Sequence, residues 1–316
     1  MYTPRFNPNS AVSNWKGRLD FLKGYPGAQM MGALNGGFFG GAEITGGVRN
    51  DSMGDGYLYE TFAASGTMTV SGNMTVDMLV VGGGGGYNHG ANGGQQYWGG
   101  AGGGGVTSVV DLDVEAGDYT VTIGALGSNG ASQSGMGTNG GSTEITIGGV
   151  LISGGGGGRA GWGGPGYCEA GAHGDPGVST TSPNRGSGGS GGGAGIWVSY
   201  CGAAASNGGG AASAGTPPSG TFTIWGGGNG AASQYYNSGG GGGGSNVTNG
   251  IVGRGADGIS WNNFPTSSSW YGQGANTYDS TTYPAGRGAT TGIYGRGSSG
   301  YQGNGVGGVV IVRWAA

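Results

Sequence analysis

Charged side chains are scarce in this sequence. Asp, Glu, Lys and Arg make up 8% of the 316 residues, and Lys16 and Lys23 are the only lysines. An ordinary globular domain has about a quarter of its residues charged. The formal net charge is −4, and capture of nucleic acid or of an anionic membrane depends on basic patches. We therefore expect no nucleic-acid partner and no electrostatic binding to lipid.

Long apolar segments and cysteines are also lacking. No run of about eighteen apolar residues occurs, so we expect no membrane insertion. The first residues, MYTPR, lack the apolar core of a secretory signal. Cys168 and Cys201 leave two alternatives open, one disulfide or two buried thiols. Two cysteines without an export signal do not make a disulfide framework, which favours the thiols.

Recognisable catalytic motifs are few. His89 and His173 are the only histidines, and neither lies in a strand-turn-helix nucleophile elbow. Neither lysine follows a glycine, so the phosphate-binding pattern ending in Gly-Lys-Ser/Thr is absent. With this much glycine, matches to G-x-G-x-x-G arise by chance. We expect no enzymatic activity and no cofactor.

One group of carboxylates has the spacing of a strand face. Asp111, Asp113 and Glu115 alternate along the sequence, which would place all three on one side of a strand and could suggest Ca²⁺. A solvated strand face has the same pattern and is common in antiparallel sheets. We favour the solvated face and predict no metal site.

Glycine dominates what is present, with 89 residues and runs at 82–86, 154–158 and 239–244. An ordered glycine costs about 0.5–1 kcal/mol relative to alanine. The composition therefore indicates either a flexible linker or a backbone that packs closely for a structural purpose. Aromatic residues within the tracts favour an ordered scaffold, because flexible linkers lack them. These residues are Tyr97, Trp98, Trp162, Trp197, Tyr200, Trp225, Tyr235 and Tyr236.

Residues 57–153 have a period of two, which predicts β-strands. The segments have strand length and are rich in β-branched residues. They are 57–62, 67–70, 75–81, 106–114, 119–124, 143–147 and 150–153. Gly148 and Gly149 are typical of a two-residue hairpin turn. About seven short strands in roughly 100 residues predict a small β-sandwich.

Residues 154–305 contain almost no such pattern, and we predict a glycine-rich distal domain there. Polyproline-II backbone has three residues per turn and no internal hydrogen bonds. Without side chains, such helices can pack together and pair N–H with C=O laterally, as in polyglycine II. Residues 306–316 show a strand pattern again and are predicted to return to the sandwich. The predicted fold class is mostly β, with a long polyglycine-II-like excursion.

Residues 1–56 differ from the rest and are predicted to form an attachment segment. Ser10 is a suitable N-cap, and Gly24 and Pro26 end the only convincing helical pattern. Two alternatives stay open, a helix packed on its own domain and a helix that docks on a partner. The candidates for docking are Val12, Trp15, Leu19 and Leu22 on the helix, and Phe38 and Phe39 after it.

Strands that run directly into glycine give the chain a family resemblance. Residues 75–86, TVDMLVVGGGGG, show this pattern, and so do residues 119–124, 152–154 and 307–314. Over about residues 57–316 the sequence resembles the glycine-rich domains of bacteriophage tail-fibre proteins. More loosely, it resembles the tip adhesins of T-even-type long tail fibres, which pack polyglycine-II helices and bind host surfaces through distal loops.

The resemblance implies a virion protein that is assembled in the host cytoplasm. It would attach to other tail or fibre proteins through residues 1–56 and bind a host surface glycan or outer-membrane protein, without catalysis. Tail fibres are commonly trimeric and some tip adhesins are monomers, so a homotrimer is one of two arrangements allowed. The alternatives are a purely structural virion component and a depolymerase of surface polysaccharide.

Aromatic residues in a Ser/Asn/Thr-rich stretch are the candidate receptor contacts. Tyr, Trp, Ser and Asn are the composition of adaptable recognition loops, where rigid rings supply contact area at low entropy cost. The alternative is that the rings cover the edges of glycine helices. The candidates are Trp261, Trp270, Tyr271, Tyr278 and Tyr283.

Overall fold

The computed structural model contains only β-strands as regular elements in the residues that it describes, which confirms a mostly β fold. Those residues are 41–51, 55–87, 100–130, 136–161, 163–164, 167–168, 185–187, 189, 192, 211–213, 219–225, 258–260, 270–275, 294–298 and 305–316. This part of the chain has no helix that could cross a membrane. The helix predicted after Ser10 lies outside these residues, as do the docking candidates Val12, Trp15, Leu19, Leu22, Phe38 and Phe39.

Seventeen strands are defined within the described residues. In chain order they are β1 (Ile44–Thr45), β2 (Val48–Asn50), β3 (Tyr57–Phe62), β4 (Gly66–Val70), β5 (Met74–Val81), β6 (Val106–Val114), β7 (Gly117–Thr122), β8 (Thr143–Ile147), β9 (Val150–Gly154), β10 (Gly163–Gly164), β11 (Tyr167–Cys168), β12 (Arg185–Ser187), β13 (Ala211–Ser213), β14 (Thr221–Trp225), β15 (Ile259–Ser260), β16 (Trp270–Tyr271) and β17 (Val309–Ala315). Strands β3 to β9 match the predicted segments to within two residues.

Two sheets face each other to form a sandwich. One has seven strands in the order β1-β4-β7-β8-β9-β12-β13, and the other has six in the order β14-β6-β5-β17-β3-β2. Neighbouring strands in both sheets are antiparallel, apart from the parallel pair β9 and β12. The pairs β10-β11 and β15-β16 form small two-stranded sheets.

Alternation along the strands builds the core between the two sheets. In β8, Ile145 and Ile147 are buried while Thr146 between them is exposed. The core takes valine, isoleucine, leucine, methionine, phenylalanine and tryptophan side chains from both sheets. Burying one such large side chain contributes about 1.5–3 kcal/mol. This shared apolar core therefore stabilises the sandwich.

The β8–β9 connection is a two-residue hairpin, as predicted. Ile147 pairs with Val150, and Gly148 and Gly149 have φ angles of 56° and 77°. Two successive positive φ angles are the requirement of a type I′ turn, whose twist matches that of the flanking strands. Glycine adopts both without steric cost.

Strand β6 departs from the predicted alternation at a bulge. The register shifts between Val76 and Met78, so two residues of β6 lie opposite Asp77. One of them, Asp111, has a left-handed φ of 56°. Asp111 and Asp113 alternate with the buried Leu112 and Val114, as expected for a solvated strand face, while Glu115 lies just beyond the end of β6. All three carboxylates, Asp111, Asp113 and Glu115, are exposed, and no metal-binding group of His, Cys, Asp or Glu occurs among the described residues.

Strand β14 corrects the expectation that residues 154–305 contain almost no strand pattern. It pairs along its whole length with β6 and forms one edge of the six-stranded sheet. Its sequence, TFTIW, alternates with a period of two, and Phe222 packs against the core. The signal was present but short, between prolines and a glycine run.

The last strand, β17, lies between β3 and β5 within the six-stranded sheet. Val310, Val312 and Trp314 face the core between the sheets. Val309 and Ile311 pack in a second apolar cluster that also includes residues of β15 and β16. A strand covered on both faces reads as a continuous apolar run, which accounts for the sequence VVIV.

The sandwich has two different ends, which we call proximal and distal. Strands β5, β7 and β9 run toward the distal end and continue there into glycine-rich segments. At the proximal end, Ile44 pairs with Val70, which in turn pairs with Gly117 at the start of β7. The N–H of Ala316 donates to the carbonyl of Gly56. The unit that spans residues 44–316 therefore begins and ends away from the glycine-rich segments.

Candidate functional site at the distal end

Eight glycine-rich segments extend beyond the sheets within the described residues, and we call them rods. In chain order they are rod 1 (82–87), rod 2 (100–105), rod 3 (124–130), rod 4 (136–142), rod 5 (155–161), rod 6 (272–275), rod 7 (294–298) and rod 8 (305–308). Their backbone N–H and C=O groups pair with one another across rods. Lateral pairing satisfies polar groups that burial would otherwise leave without partners.

Rod 1 donates its hydrogen bonds with a period of three. The N–H groups of Gly82 and Gly85 donate to rod 2, those of Gly83 and Gly86 to rod 4, and that of Gly84 to rod 8, with nitrogen–oxygen distances of 2.9–3.1 Å. A backbone with three residues per turn returns to the same side at every third residue. This is the hydrogen-bond pattern of the polyglycine-II-like packing that the sequence predicts.

The carbonyl groups of rod 1 point at three other rods. Gly83 and Gly86 accept from rod 5, Gly84 and Tyr87 accept from rod 3, and Gly85 accepts from rod 7. Six rods therefore surround rod 1, three bonded through its N–H groups and three through its C=O groups.

The six surrounding rods are also bonded to one another. Their order around rod 1 is 2, 5, 4, 3, 8, 7, and each adjacent pair, including 7 and 2, shares at least one backbone hydrogen bond. Directions alternate around the ring, because rods 3, 5 and 7 run outward while rods 2, 4 and 8 run back toward the sheets. Rod 6 lies outside the ring against rods 2 and 7. One chain thus closes the hexagon by itself.

The centre of this bundle leaves no room for a side chain. A Cβ atom at any residue from 82 to 86 would lie 1.9–2.2 Å from a carbonyl oxygen of a neighbouring rod. The outer rods need glycine less often: in rod 3, Gly124, Gly127 and Gly130 are buried, and the residues between them are exposed or half-buried. Glycine at every third residue therefore marks a rod with an exposed side, whereas unbroken runs, as at 82–86 and 154–158, mark rods that are packed on most sides.

Side-chain amides take over backbone bonding near the distal ends of the rods. Asn129 Oδ1 accepts the N–H of Tyr87 at 3.1 Å. Asn139 Oδ1 accepts the N–H of Arg159 at 2.9 Å. These side chains satisfy backbone N–H groups beside the lateral backbone bonds at the distal end.

Backbone hydrogen bonds also join the residues at the distal ends of several rods. Hydrogen bonds fix these residues at a common level: Ala275 donates to Ala101, Ala101 to Ser298, and Gly130 to Tyr87. Rod 1 and the outward rods 3, 5 and 7 therefore reach a similar level on the side away from the sheets.

The predicted receptor contacts fall in three categories. Trp261, Tyr278 and Tyr283 lie outside the described residues. Trp270 belongs to β16, but its side chain is outside the description. Tyr271 is 1% exposed and packs with Leu79, Val81 and Ile311 on the outer face of the six-stranded sheet. Its ring therefore covers part of the outer face of that sheet.

A polar network that the sequence did not predict lies near the proximal end. Asp77 Oδ2 accepts from Arg313 Nε at 2.8 Å and from Nη2 at 2.7 Å, and Asp77 Oδ1 accepts the Asp111 N–H at 3.0 Å. The Arg313 guanidinium lies over the Tyr57 ring, 4.3 Å from its centroid. The network links β3, β17, β5 and the bulge of β6. No local motif marks it, because its members are up to 236 positions apart.

Tyr59 extends this network toward Asp55. Its hydroxyl donates to Asp55 Oδ2 at 2.5 Å. Burial, followed by the hydrogen bond to Asp55, raises the pKa of Tyr59 to about 12. The same bond is the largest cause of a lowered pKa at Asp55. The Tyr59 hydroxyl and the Arg313 guanidinium are each bonded to a carboxylate. We call this network a structural brace, because it ties neighbouring strands together.

Comparison with protein families agrees with the glycine architecture. A family model described as a glycine-rich domain matches residues 60–315. This stretch contains all eight rods and nearly all of the sandwich from β3 onward. A search of curated proteins found no match. The match covers most of the chain, which therefore belongs to the glycine-rich domain family.

Proposed function

We propose that this chain is a phage virion protein, a tail fibre or fibre tip, that attaches the particle to the host cell surface. It acts by binding and not by catalysis. Residues 1–56 attach it to other tail or fibre proteins, and the distal end of the bundle presents the binding surface. Assembly takes place in the host cytoplasm before incorporation in the virion.

The polarity of the molecule is the observation that supports this proposal. Ile44 lies at the proximal end, while rods 1, 3, 5 and 7 carry the chain outward from the sheets to the distal end. A bundle whose central rod is bonded on six sides is a stiff support. Such a support separates a point of attachment from a point of display, which is what an adhesin on a particle requires.

The binding residues that we propose follow the rods in the sequence. Tyr278 comes three residues after Ala275, a length of chain that spans at most about 11 Å. Tyr283 follows in the same polar stretch, whose Tyr, Ser, Asn and Thr content suits a sugar face or a polar protein loop. We propose a host glycan or outer-membrane protein as the partner. Several copies on one particle make weak individual contacts sufficient.

Binding to whole bacterial cells tests the proposal. Labelled full-length chain is incubated with a panel of strains, together with a Tyr278→Ala/Tyr283→Ala double variant. The matched control is Val48→Ala, which trims an exposed apolar side chain of edge strand β2. We expect the wild type and the control to bind at least one strain and the double variant to lose at least about 1.4 kcal/mol of binding, a tenfold change in affinity. Equal losses in both variants, or no binding to any strain, would contradict distal recognition.

The burial of Tyr271 favours one second candidate, a purely structural virion component whose aromatics pack internally. That candidate predicts no cell binding and incorporation that fails when the chain is absent. Particle composition measured beside adsorption separates the two. Release of reducing sugars from surface polysaccharide would instead support a depolymerase.

A further inference from the structure

The first two strands form a corner that joins the sheets of the sandwich. β1 pairs with β4 in the seven-stranded sheet, and β2 pairs with β3 in the six-stranded sheet. Gly46 and Gly47 connect them within two residues. Gly46 has a φ of 112°, and a Cβ there would lie 2.0 Å from the Thr67 carbonyl oxygen. The corner is therefore tightly fitted, and it is where the chain enters the described unit.

A buried carboxyl group holds this corner. Glu60 lies in β3 on the same side as Leu58 and Phe62, which pack in the core, and is 3% exposed. Its Oε1 accepts the N–H of Gly47 at 2.8 Å. Its Oε2 is buried without a hydrogen-bond partner. An ionised carboxylate in this position has one oxygen solvated by neither water nor a donor, which is costly.

The charged neighbours leave the Glu60 carboxyl unneutralised. Arg49 stands opposite Glu60 in β2, but its guanidinium bonds Asp51 and lies 4.8 Å from the centroid of the Trp314 ring. β17 places Val312 opposite Glu60, and the corner contributes glycines. Among the described residues, Arg49 and Asp51 therefore supply the charges that act on Glu60, with opposite signs.

We propose that Glu60 is a proton-sensitive latch that holds the β1–β2 corner more tightly in acid than at neutral pH. Protonation removes the buried charge while Oε1 still accepts from Gly47. Burial is the largest cause of a raised pKa at Glu60, ahead of the Gly47 hydrogen bond and Arg49, which lower it. The folded corner thus binds a proton more strongly than the opened corner. Its stability is full below the ordinary glutamate pKa and declines as pH rises to the raised value.

The latch concerns the point of entry of the chain and does not depend on the proposed host binding. Opening of the corner frees β1 from β4 and β2 from β3, which are edge pairings of the two sheets. The corner points toward the distal end, but the backbone hydrogen bonds of the glycine bundle described above involve none of Gly46, Gly47 and Glu60. A change of pH would therefore alter how the first strands are held without changing the distal end.

Hydrogen exchange on the full-length chain tests the latch. The Gly47 amide is followed from pH 4 to 8 and corrected for intrinsic exchange, while the Glu60 carboxyl carbon is titrated by NMR. We expect protection of Gly47 to fall by up to about tenfold per pH unit between the ordinary and the raised pKa, and to be constant above it. The Glu60→Gln variant should keep the acid-level protection throughout, and Glu115→Gln, at an exposed carboxylate, should behave as the wild type.

Two results would overturn the latch. One is pH-independent protection of Gly47 in the wild type after correction for intrinsic exchange. The other is a Glu60 carboxyl that titrates at or below the ordinary glutamate range. Both measurements are made on the wild type, so they decide the question even where the glutamine variant folds poorly.

Discussion

Replacing Gly84 with alanine should destabilise the protein more than any ordinary glycine-to-alanine change. The added Cβ would lie 1.9 Å from the Arg296 carbonyl oxygen and 2.7 Å from the Gly297 nitrogen, both backbone atoms. Ordinary contact begins near 3.4 Å, so the two rods would have to separate by about 1.5 Å in a core that resists overpacking. Rod 1 is bonded on every side and has no direction in which to move.

The expected loss is about 3 kcal/mol, at the upper end of the usual 1–3 kcal/mol for overpacking. The matched control is Gly66→Ala, where nothing lies within 4 Å of the new Cβ; we expect a gain of up to about 1 kcal/mol from reduced freedom of the unfolded chain. A second control, Ala125→Ser, changes an exposed residue of outer rod 3 and should stay within about 0.5 kcal/mol.

Urea denaturation followed by tryptophan fluorescence measures these differences on the full-length chain. Circular dichroism on each variant checks that the sheets are formed before unfolding is compared. If Gly84→Ala and Gly66→Ala differ by less than about 0.5 kcal/mol, the central rod tolerates a side chain and the hexagonal packing is refuted.

Two further predictions concern the proximal network. In a double-mutant cycle, Asp77→Ala and Arg313→Ala should couple by about 1–2 kcal/mol because both side chains are only 13% exposed. The exposed pair Arg49 and Asp51 should couple by less than about 0.5 kcal/mol, and equal couplings would contradict the brace. Tyrosinate absorbance should show Tyr59 ionising near pH 12, with stability present below pH 10 and lost between these values. A Tyr59→Phe variant that leaves the alkaline titration unchanged would refute this assignment.

The sandwich could be predicted because its strands carry side chains in a readable pattern. Thr143–Ile147 alternates so plainly that the buried isoleucines and the Gly148-Gly149 turn follow from the sequence. The bulge at Asp111 could not be predicted, since it depends on Asp77 and on β14, both distant in the chain. A local sequence pattern does not specify the register between strands that are distant in the chain.

The glycine bundle could be predicted in kind but not in arrangement. Composition indicates polyglycine-II packing. Because glycine has no side chain, however, its sequence pattern does not determine which neighbouring rod it packs against. The bundle takes rods 1 to 4 from residues 82–142, a region for which the sequence predicted strands. The available signal was the spacing of Gly124, Gly127 and Gly130, which marks a rod with an exposed side. The unbroken runs at 82–86 and 154–158 do not distinguish the central rod from an outer one.

The candidate site was less accessible to sequence reasoning than the fold. Tyr271 lies in a stretch rich in serine, asparagine and threonine, a composition that resembles a recognition loop. Its burial arises from pairing with Ile259 across β15 and β16 and from packing on β5 and β17. Aromatic residues in a polar stretch of sequence can therefore either contact a partner or pack internally. Only the position of the flanking backbone in the fold distinguishes the two roles.

Because the ring of rods is closed by backbone hydrogen bonds, we expect the stability of the bundle to depend little on the sequence of the segments that connect the rods. Each of the six rods around rod 1 is held by backbone bonds to rod 1 and to both its neighbours in the ring. The bonds described here join residues of the rods themselves, which the connections at 88–99 and 131–135 link along the chain. Since loop closure costs only about 0.6 kcal/mol for each doubling of length, changes in these connections should alter stability little. Under the function proposed above, the glycine content, costly in chain entropy, would allow the distal surface to change its specificity while the support stays constant.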